Sequence, residues 1–220
     1  MASIPSSVHG FFAKALPVRT VEKNRFKFDT GKELVEWENG KKEKYRLIVD
    51  GLVKEPKTFS YAEIQSFPRI EQVSDLHCVE GWSVQDLKWG GFRFQAILDK
   101  IKPNPQATHV LFHSFGETGS SPEGQRHYVE SFPLSELLDP GREILLVLTL
   151  NDKPLPEDYG SPLRLIAPYD LAYKSIKYVA RIELVRGERP GWWTLANPIY
   201  TIKARVPKNR LRTKIPSRQD

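Results

Sequence analysis

The chain has one cysteine, Cys78, in the stretch SDLHCVEGWSVQDLKWGGF (residues 74–92), directly after His77 and before Val79-Glu80-Gly81-Trp82. A lone thiol can pack as a small apolar group, attack as a nucleophile beside a histidine base, or ligate a metal. Adjacent His77 and Cys78 cannot form a dyad on a strand, where neighbouring side chains point to opposite faces. His113 or His127 would have to supply the base from elsewhere in the fold. Zinc needs three or four protein ligands, and His109 and His113, in a β-like run, would stand roughly 13 Å apart.

A second set of chemically useful residues lies in NDKPLPEDYGSPLRLIAPYDLAYKSIKYVARIEL (151–184). Arg164, Ser175 and Lys177 offer a guanidinium, a hydroxyl and an ammonium beside turn-rich backbone. These groups suit a phosphate-bearing anionic ligand, although surface basic residues would read the same way. The glycine-rich fingerprints of dinucleotide and nucleoside triphosphate sites are absent from the sequence, so that ligand is not held in either standard manner. The polar run SFGETGSSPEGQRH (114–127) is long enough for a loop that rings a site.

The elements that must position these groups are mostly strands. KYRLIVDGLV (44–53), THVLFHSF, EILLVLTLN, LRLIAPY and IKYVARIELV are apolar or β-branched runs bounded by Pro, Gly, Asn and Asp. Two short helices interrupt them. SYAEIQSF carries the Ser60/Glu63 spacing of a capping box, and FQAILDKI places Phe94, Ile97, Leu98 and Ile101 on one helical face before Pro103 and Pro105. The class expected is α+β, largely β, in a single domain of 220 residues without internal repeats. Residues 1–43 are expected to be an arm laid over the domain, 44–202 the domain itself, and 203–220 a basic tail.

The net charge of +6 comes wholly from that tail, and residues 1–202 are neutral with 26 basic and 26 acidic residues. Such a tail is most simply a solvated end, or a surface that docks an acidic partner. No nucleic-acid motif accompanies it, so nucleic-acid binding is not expected. The longest apolar run, Ile144–Leu150, is far short of the roughly 20 residues of a membrane-spanning helix, so a soluble protein is expected. The sequence as written opens with no export signal, which implies a cytoplasmic protein, or a periplasmic one if the natural precursor begins differently.

Taken together and in order, HCVEGWSVQDLKWGGF, LNDKPLPEDYGSPLRLIAPY and YKSIKYVARIEL resemble the sulfite oxidase-like molybdopterin oxidoreductases, in particular the branch that reduces protein methionine sulfoxide in the periplasm. The resemblance covers about residues 45–186 and implies the sulfite oxidase-type molybdopterin-binding fold. It makes Cys78 the thiolate ligand of molybdenum, a soft donor suited to a two-electron redox metal. It makes Arg164 a cofactor-binding arginine and Ser175, Ile176 and Lys177 the run beside the cofactor phosphate. Ser114 stands where that branch has a cofactor-contacting threonine, and Tyr159 where it has an asparagine. KNRFKFDTGK is similar to a segment that covers the pterin, which adds Asn24, Phe26 and Lys27.

The reaction implied is two-electron oxygen-atom transfer on a molybdenum–molybdopterin cofactor. The sulfite-oxidising branch has arginines shortly after its cysteine, whereas Val79-Glu80-Gly81-Trp82-Ser83 makes a poor anion trap. Reduction of a sulfoxide or N-oxide is therefore expected, with Tyr169, Tyr173 or His127 as proton donors. The alternatives are a sulfite dehydrogenase and a binding module that has lost the metal. The sequence has no haem-attachment motif, so electrons must come from a separate donor such as a haem protein, and a monomeric catalytic module is expected.

Overall fold

The computed structural model describes residues 26–212, which form three sheets. Residues 26–44 make the first: β1 (Phe26–Asp29), β2 (Leu34–Trp37) and β3 (Lys42–Lys44) run antiparallel in sequence order. The stretch expected as an irregular arm is thus an ordered sheet over these residues. Its sequence is too charged to announce strands, and the ordering comes from packing: Phe28 and Val35 are buried against Tyr45 and Tyr61 of the main body.

The second sheet runs β5 (Lys57–Ser60), β4 (Arg46–Gly51), β13 (Val179–Val185), β8 (His109–Ser114) and β9 (Val129–Pro133). β13 pairs parallel with β4 and antiparallel with β8. The third runs β11 (Lys153–Pro154), β10 (Leu145–Leu150), β7 (Ser83–Phe92) and β6 (Ile70–His77), and β12 (Arg164–Ile166) also pairs with β10. β10 reads LLVLTL because it is central and covered on both faces: Leu146 and Leu148 enter the large core, while Leu145, Val147 and Leu150 enter a smaller one with Leu76, Trp89, Tyr159 and Ile166.

Four one-turn helices link the strands: α1 (Tyr61–Gln65), α2 (Gln95–Leu98), α3 (Leu134–Leu138) and α4 (Trp192–Ala196). The capping box forms as expected, with Ser60 Oγ accepting from the Glu63 amide at 3.2 Å and Glu63 Oε2 accepting from the Ser60 amide at 2.7 Å. α2 is shorter than its apolar spacing suggested, yet Phe94, Ile97 and Ile101 are all buried. No helix among the described residues is long and apolar enough to cross a membrane.

The chain does not leave the domain at residue 203. Ala204 and Val206 are buried, Arg205 pairs with Asp170 and Glu136, and Arg210 and Arg212 reach the β6–β7 hairpin. Over residues 204–212 the three arginines expected in a solvated tail, Arg205, Arg210 and Arg212, instead answer carboxylates and carbonyls of the domain.

Candidate functional site

β6 ends on His77, and Cys78 opens the turn into β7. The turn is closed by the Cys78 amide donating to the Trp82 carbonyl at 2.9 Å and the Gly81 amide donating to the Cys78 carbonyl at 3.2 Å. Gly81 sits at φ +97, a conformation that favours glycine, which explains its place in the Glu80-Gly81-Trp82 run. The His77 ring points inward, 2% exposed, with Nδ1 2.8 Å from Ser83 Oγ. The adjacent Cys78 is partly exposed, and the Glu80 carboxylate lies 3.9 Å from its sulfur. The same carboxylate oxygen accepts from the Trp82 indole N–H at 3.1 Å.

Arg164 starts β12, fully enclosed, with its guanidinium 5.4 Å from the Trp89 ring. Its Nη1 donates to the Tyr159 carbonyl at 2.9 Å and its Nη2 to the Ser175 carbonyl at 3.0 Å. Burial pushes its pKa down to about 10, so it stays charged at neutral pH. Its Nε has no protein partner. Ser175 Oγ accepts from the Ala167 amide at 3.0 Å, and Ile176 is buried. Lys177 Nζ donates to the Asp158 carbonyl at 3.1 Å and lies 5.2 Å from the Tyr178 ring. Arg164 thereby ties the backbone at Tyr159 to that at Ser175, and Lys177 adds a second tie between the same loops.

Tyr178 joins the remaining candidates to this pair of loops. It adopts φ +60, uncommon for a bulky residue. Its amide donates to the Gly160 carbonyl at 3.3 Å and its carbonyl accepts from the Phe115 amide at 2.9 Å. Ser114, paired with Val179 at the end of β8, carries a buried hydroxyl with no protein partner. Phe26 packs edge-on to Tyr178 at 5.1 Å between centroids, and also against Trp37 and Phe115. Lys27, one residue on, is exposed. Asn24 lies outside the described residues. Phe26, Tyr159, Arg164, Ser175 and Lys177 are thus linked by contacts through Tyr178 and its neighbours, with Ser114 beside Val179. The Cys78 hairpin joins this group through a parallel bridge between His77 and Leu171, and through Trp82, Tyr159 and Ala172 in one apolar cluster.

The three side chains considered as proton donors are engaged in the fold. Tyr173 Oη donates to the Thr201 carbonyl at 2.6 Å, and burial raises its pKa to about 12. His127 Nε2 lies 2.8 Å from His113 Nδ1, and the Arg142 guanidinium stands over the Tyr169 ring at 5.7 Å. Sequence reasoning missed Arg210, whose Nη1 donates to the Cys78 carbonyl at 2.9 Å. One arginine among seven basic residues near the C-terminus carries no signal that singles it out.

The donor set fits a pterin-bound metal. Among the described residues no group of three or more His, Cys, Asp or Glu side chains is placed to hold an ion, so a metal here needs ligands beyond the one thiol of Cys78. Arg164 Nε and Ser114 Oγ are among the buried polar atoms that lack a protein partner, which leaves both able to hydrogen-bond a ligand.

Comparison with known proteins decides the family. The oxidoreductase molybdopterin-binding domain family matches residues 34–193. The chain belongs to the molybdopterin-binding oxidoreductases. It is 32% identical over 150 residues to the uncharacterised oxidoreductase YuiH of Bacillus subtilis, covering 68% of this chain and 70% of that one. It is 33% identical over 162 residues to MsrP, the protein-methionine-sulfoxide reductase catalytic subunit of Gluconobacter oxydans, covering 70% of this chain and 51% of the relative. The chain therefore spans about half the length of that relative. Among solved structures, the sulfane dehydrogenase SoxCD of Paracoccus pantotrophus superposes with a TM-score of 0.55 at 20% identity, over 65% of this chain and 38% of that one. The largely β architecture of this oxidoreductase domain is thus the sulfite oxidase-type fold.

Proposed function

We propose that this oxidoreductase domain is a molybdenum–molybdopterin catalytic module that reduces a sulfoxide or N-oxide with electrons from a separate donor. When bound, the cofactor supplies a metal that exchanges two electrons and an oxygen atom with the substrate. Cys78 would be the protein's thiolate ligand. Arg164, through Nε, and the Ser114 hydroxyl would hold the cofactor, while Ser175, Ile176 and Lys177 would flank its phosphate, with the Lys177 ammonium supplying positive charge. Phe26 and Tyr178 would cover the pterin on an apolar face.

The observation that carries the substrate choice is the Glu80 carboxylate 3.9 Å from the Cys78 sulfur, buttressed by the Trp82 indole. A fixed negative charge beside the reacting centre repels sulfite and tolerates a neutral sulfoxide or N-oxide. The test is the full chain purified from a host that makes the cofactor, beside Cys78→Ser. Molybdenum in the wild type and not in the variant, with reduced-dye turnover of sulfoxides and none of sulfite, is the expected result. Turnover of sulfite with an electron acceptor, and not of sulfoxides, establishes the sulfite dehydrogenase instead. Metal-free protein from a competent host overturns both.

A further inference from the structure

We infer that Arg210 is a positioning residue for the Cys78 thiol, and that residues 204–212 form a strap whose function is to fix the cysteine turn. The inference rests on the reading of Cys78 as a metal ligand. Arg210 lies 132 residues from Cys78 in sequence, yet it makes three contacts within the six residues 78–83. Nη1 donates to the Cys78 carbonyl at 2.9 Å, and Nη2 donates to the Trp82 carbonyl at 2.7 Å and to Ser83 Oγ at 3.1 Å. The two carbonyls are those that close the turn, since the Cys78 amide donates to Trp82 and the Gly81 amide to Cys78. The planar guanidinium therefore ties both ends of the thiol-bearing turn, a geometry that a lysine ammonium cannot reproduce.

The contact continues inward. Arginine only donates, so Ser83 Oγ accepts from Arg210 and its own hydrogen is free for His77 Nδ1 at 2.8 Å. Arg210, Ser83 and His77 thus form one line of hydrogen bonds into the buried base of the turn. The strap is anchored on both sides of Arg210. Arg205 pairs with Asp170 at 2.8 Å and with Glu136, and Arg212 pairs with Asp75 and Asp86 on the two strands of the same hairpin. A solvated tail makes none of these bonds. A metal bound through one thiolate needs its sulfur held to a fraction of an ångström, and a turn on a hairpin tip has little packing of its own to do so.

Because Cys78 is the only cysteine, thiol labelling reports on it alone. The test compares wild type, Arg210→Ala, Arg210→Lys and Arg205→Ala as full-length chains. One readout is the rate of Cys78 alkylation by iodoacetamide at fixed pH in protein from a host without the cofactor. The other is molybdenum content and the thiolate-to-metal absorption in protein from a host that makes it. Loss of charge-assisted bonds at a turn shifts its opening by roughly tenfold. Arg210→Ala is expected to alkylate about tenfold faster, Arg210→Lys to fall between, and Arg205→Ala to change less than either. In the loaded protein Arg210→Ala shifts the absorption band. If Arg210→Ala does not fold, Arg210→Lys carries the comparison.

Rates within twofold of wild type in the folded Arg210 variants overturn the positioning role, whatever the metal content. Faster alkylation in a chain whose wild type takes up no molybdenum supports the positioning role and overturns the metal reading alone. Equal acceleration by Arg205→Ala overturns the specific role of Arg210, since general loosening of the strap would then suffice.

Discussion

The Arg164 guanidinium donates from Nη2 to the Ser175 carbonyl at 3.0 Å, so a residue expected to bind an anion directly acts first on the backbone of its own site. With Nη1 on the Tyr159 carbonyl, it commits one hydrogen of each terminal nitrogen to the backbone and leaves Nε without a protein partner. Replacing it by Met leaves two buried carbonyls without donors, and is expected to cost about 2–4 kcal/mol of stability. Arg164→Lys retains the charge with a single point of contact and should bind the cofactor more weakly while remaining folded. Urea unfolding of both variants, with molybdenum analysis of the second, checks this. Wild-type stability in Arg164→Met would show that the two loops are held by something else.

Gly160 tests the same junction from the backbone side. It sits at φ +110, and a Cβ there would lie 3.0 Å from the Cβ atoms of both Arg164 and Lys177. Gly160→Ala is strained by its conformation and crowded by the two side chains, and is expected to lose about 1–3 kcal/mol. Because the crowding pushes the 175–177 run away from Arg164, cofactor retention should fall more than stability does. Dialysis of loaded protein against buffer, followed by metal analysis, measures it. Equal retention in variant and wild type would mean that the run does not touch the cofactor.

What the sequence displayed and what it hid follow from where each strand's charges go. EILLVLTLN was legible because β10 is covered on both faces and has no reason to carry a charge. The β6–β7 hairpin was not, since Glu71, Asp75, Asp86 and Lys88 break its apolar pattern. Glu71 and Lys88 pair across the hairpin, Lys88 also meets Asp152, and Asp75 and Asp86 are answered by Arg212, far away in sequence and invisible to local periodicity. The three-stranded sheet of residues 26–44 was hidden for a like reason, its order depending on Tyr45, Tyr61, Phe115 and Tyr178. In the site, Cys78 and the residues around Arg164 could be nominated from motifs, because motifs are local. Arg210 and Tyr178 act through tertiary contact, which no spacing encodes.

Cys78→Ser separates metal binding from folding. The sulfur is partly exposed in a turn closed by backbone bonds, so the substitution removes little packing. Thermal stability of the metal-free variant is expected to stay within about 0.5 kcal/mol of wild type, as for other surface changes. Molybdenum binding should nevertheless be lost, because a hydroxyl is a harder and far less acidic ligand than a thiol. A folded Cys78→Ser chain that keeps its metal would remove Cys78 from the ligand set.

The outer face of the second sheet should dominate acid sensitivity. His113 is buried on β8, with Nδ1 2.8 Å from His127 Nε2 and Nε2 3.1 Å from Glu183 Oε2. Burial, aided by His127 and Arg181, lowers its pKa to about 3 despite Glu183, whose charge is shared with Arg181 at 3.2 Å. The ring is therefore neutral, donating from Nε2 to Glu183 and accepting at Nδ1 from His127. The unfolded chain regains an ordinary histidine near 6.5, so between that value and about 3 it binds a proton that the folded chain refuses. Stability from this group is complete above about pH 6.5 and declines as pH falls, by about 1.4 kcal/mol per pH unit at most. His127, also lowered by burial, acts in the same direction. His113→Gln keeps hydrogen-bonding groups without the titration, and should flatten the acid limb between about pH 6.5 and 4.5. Denaturant midpoints across that range measure it, and an unchanged slope in His113→Gln would show that the acid limb belongs to the carboxylates instead.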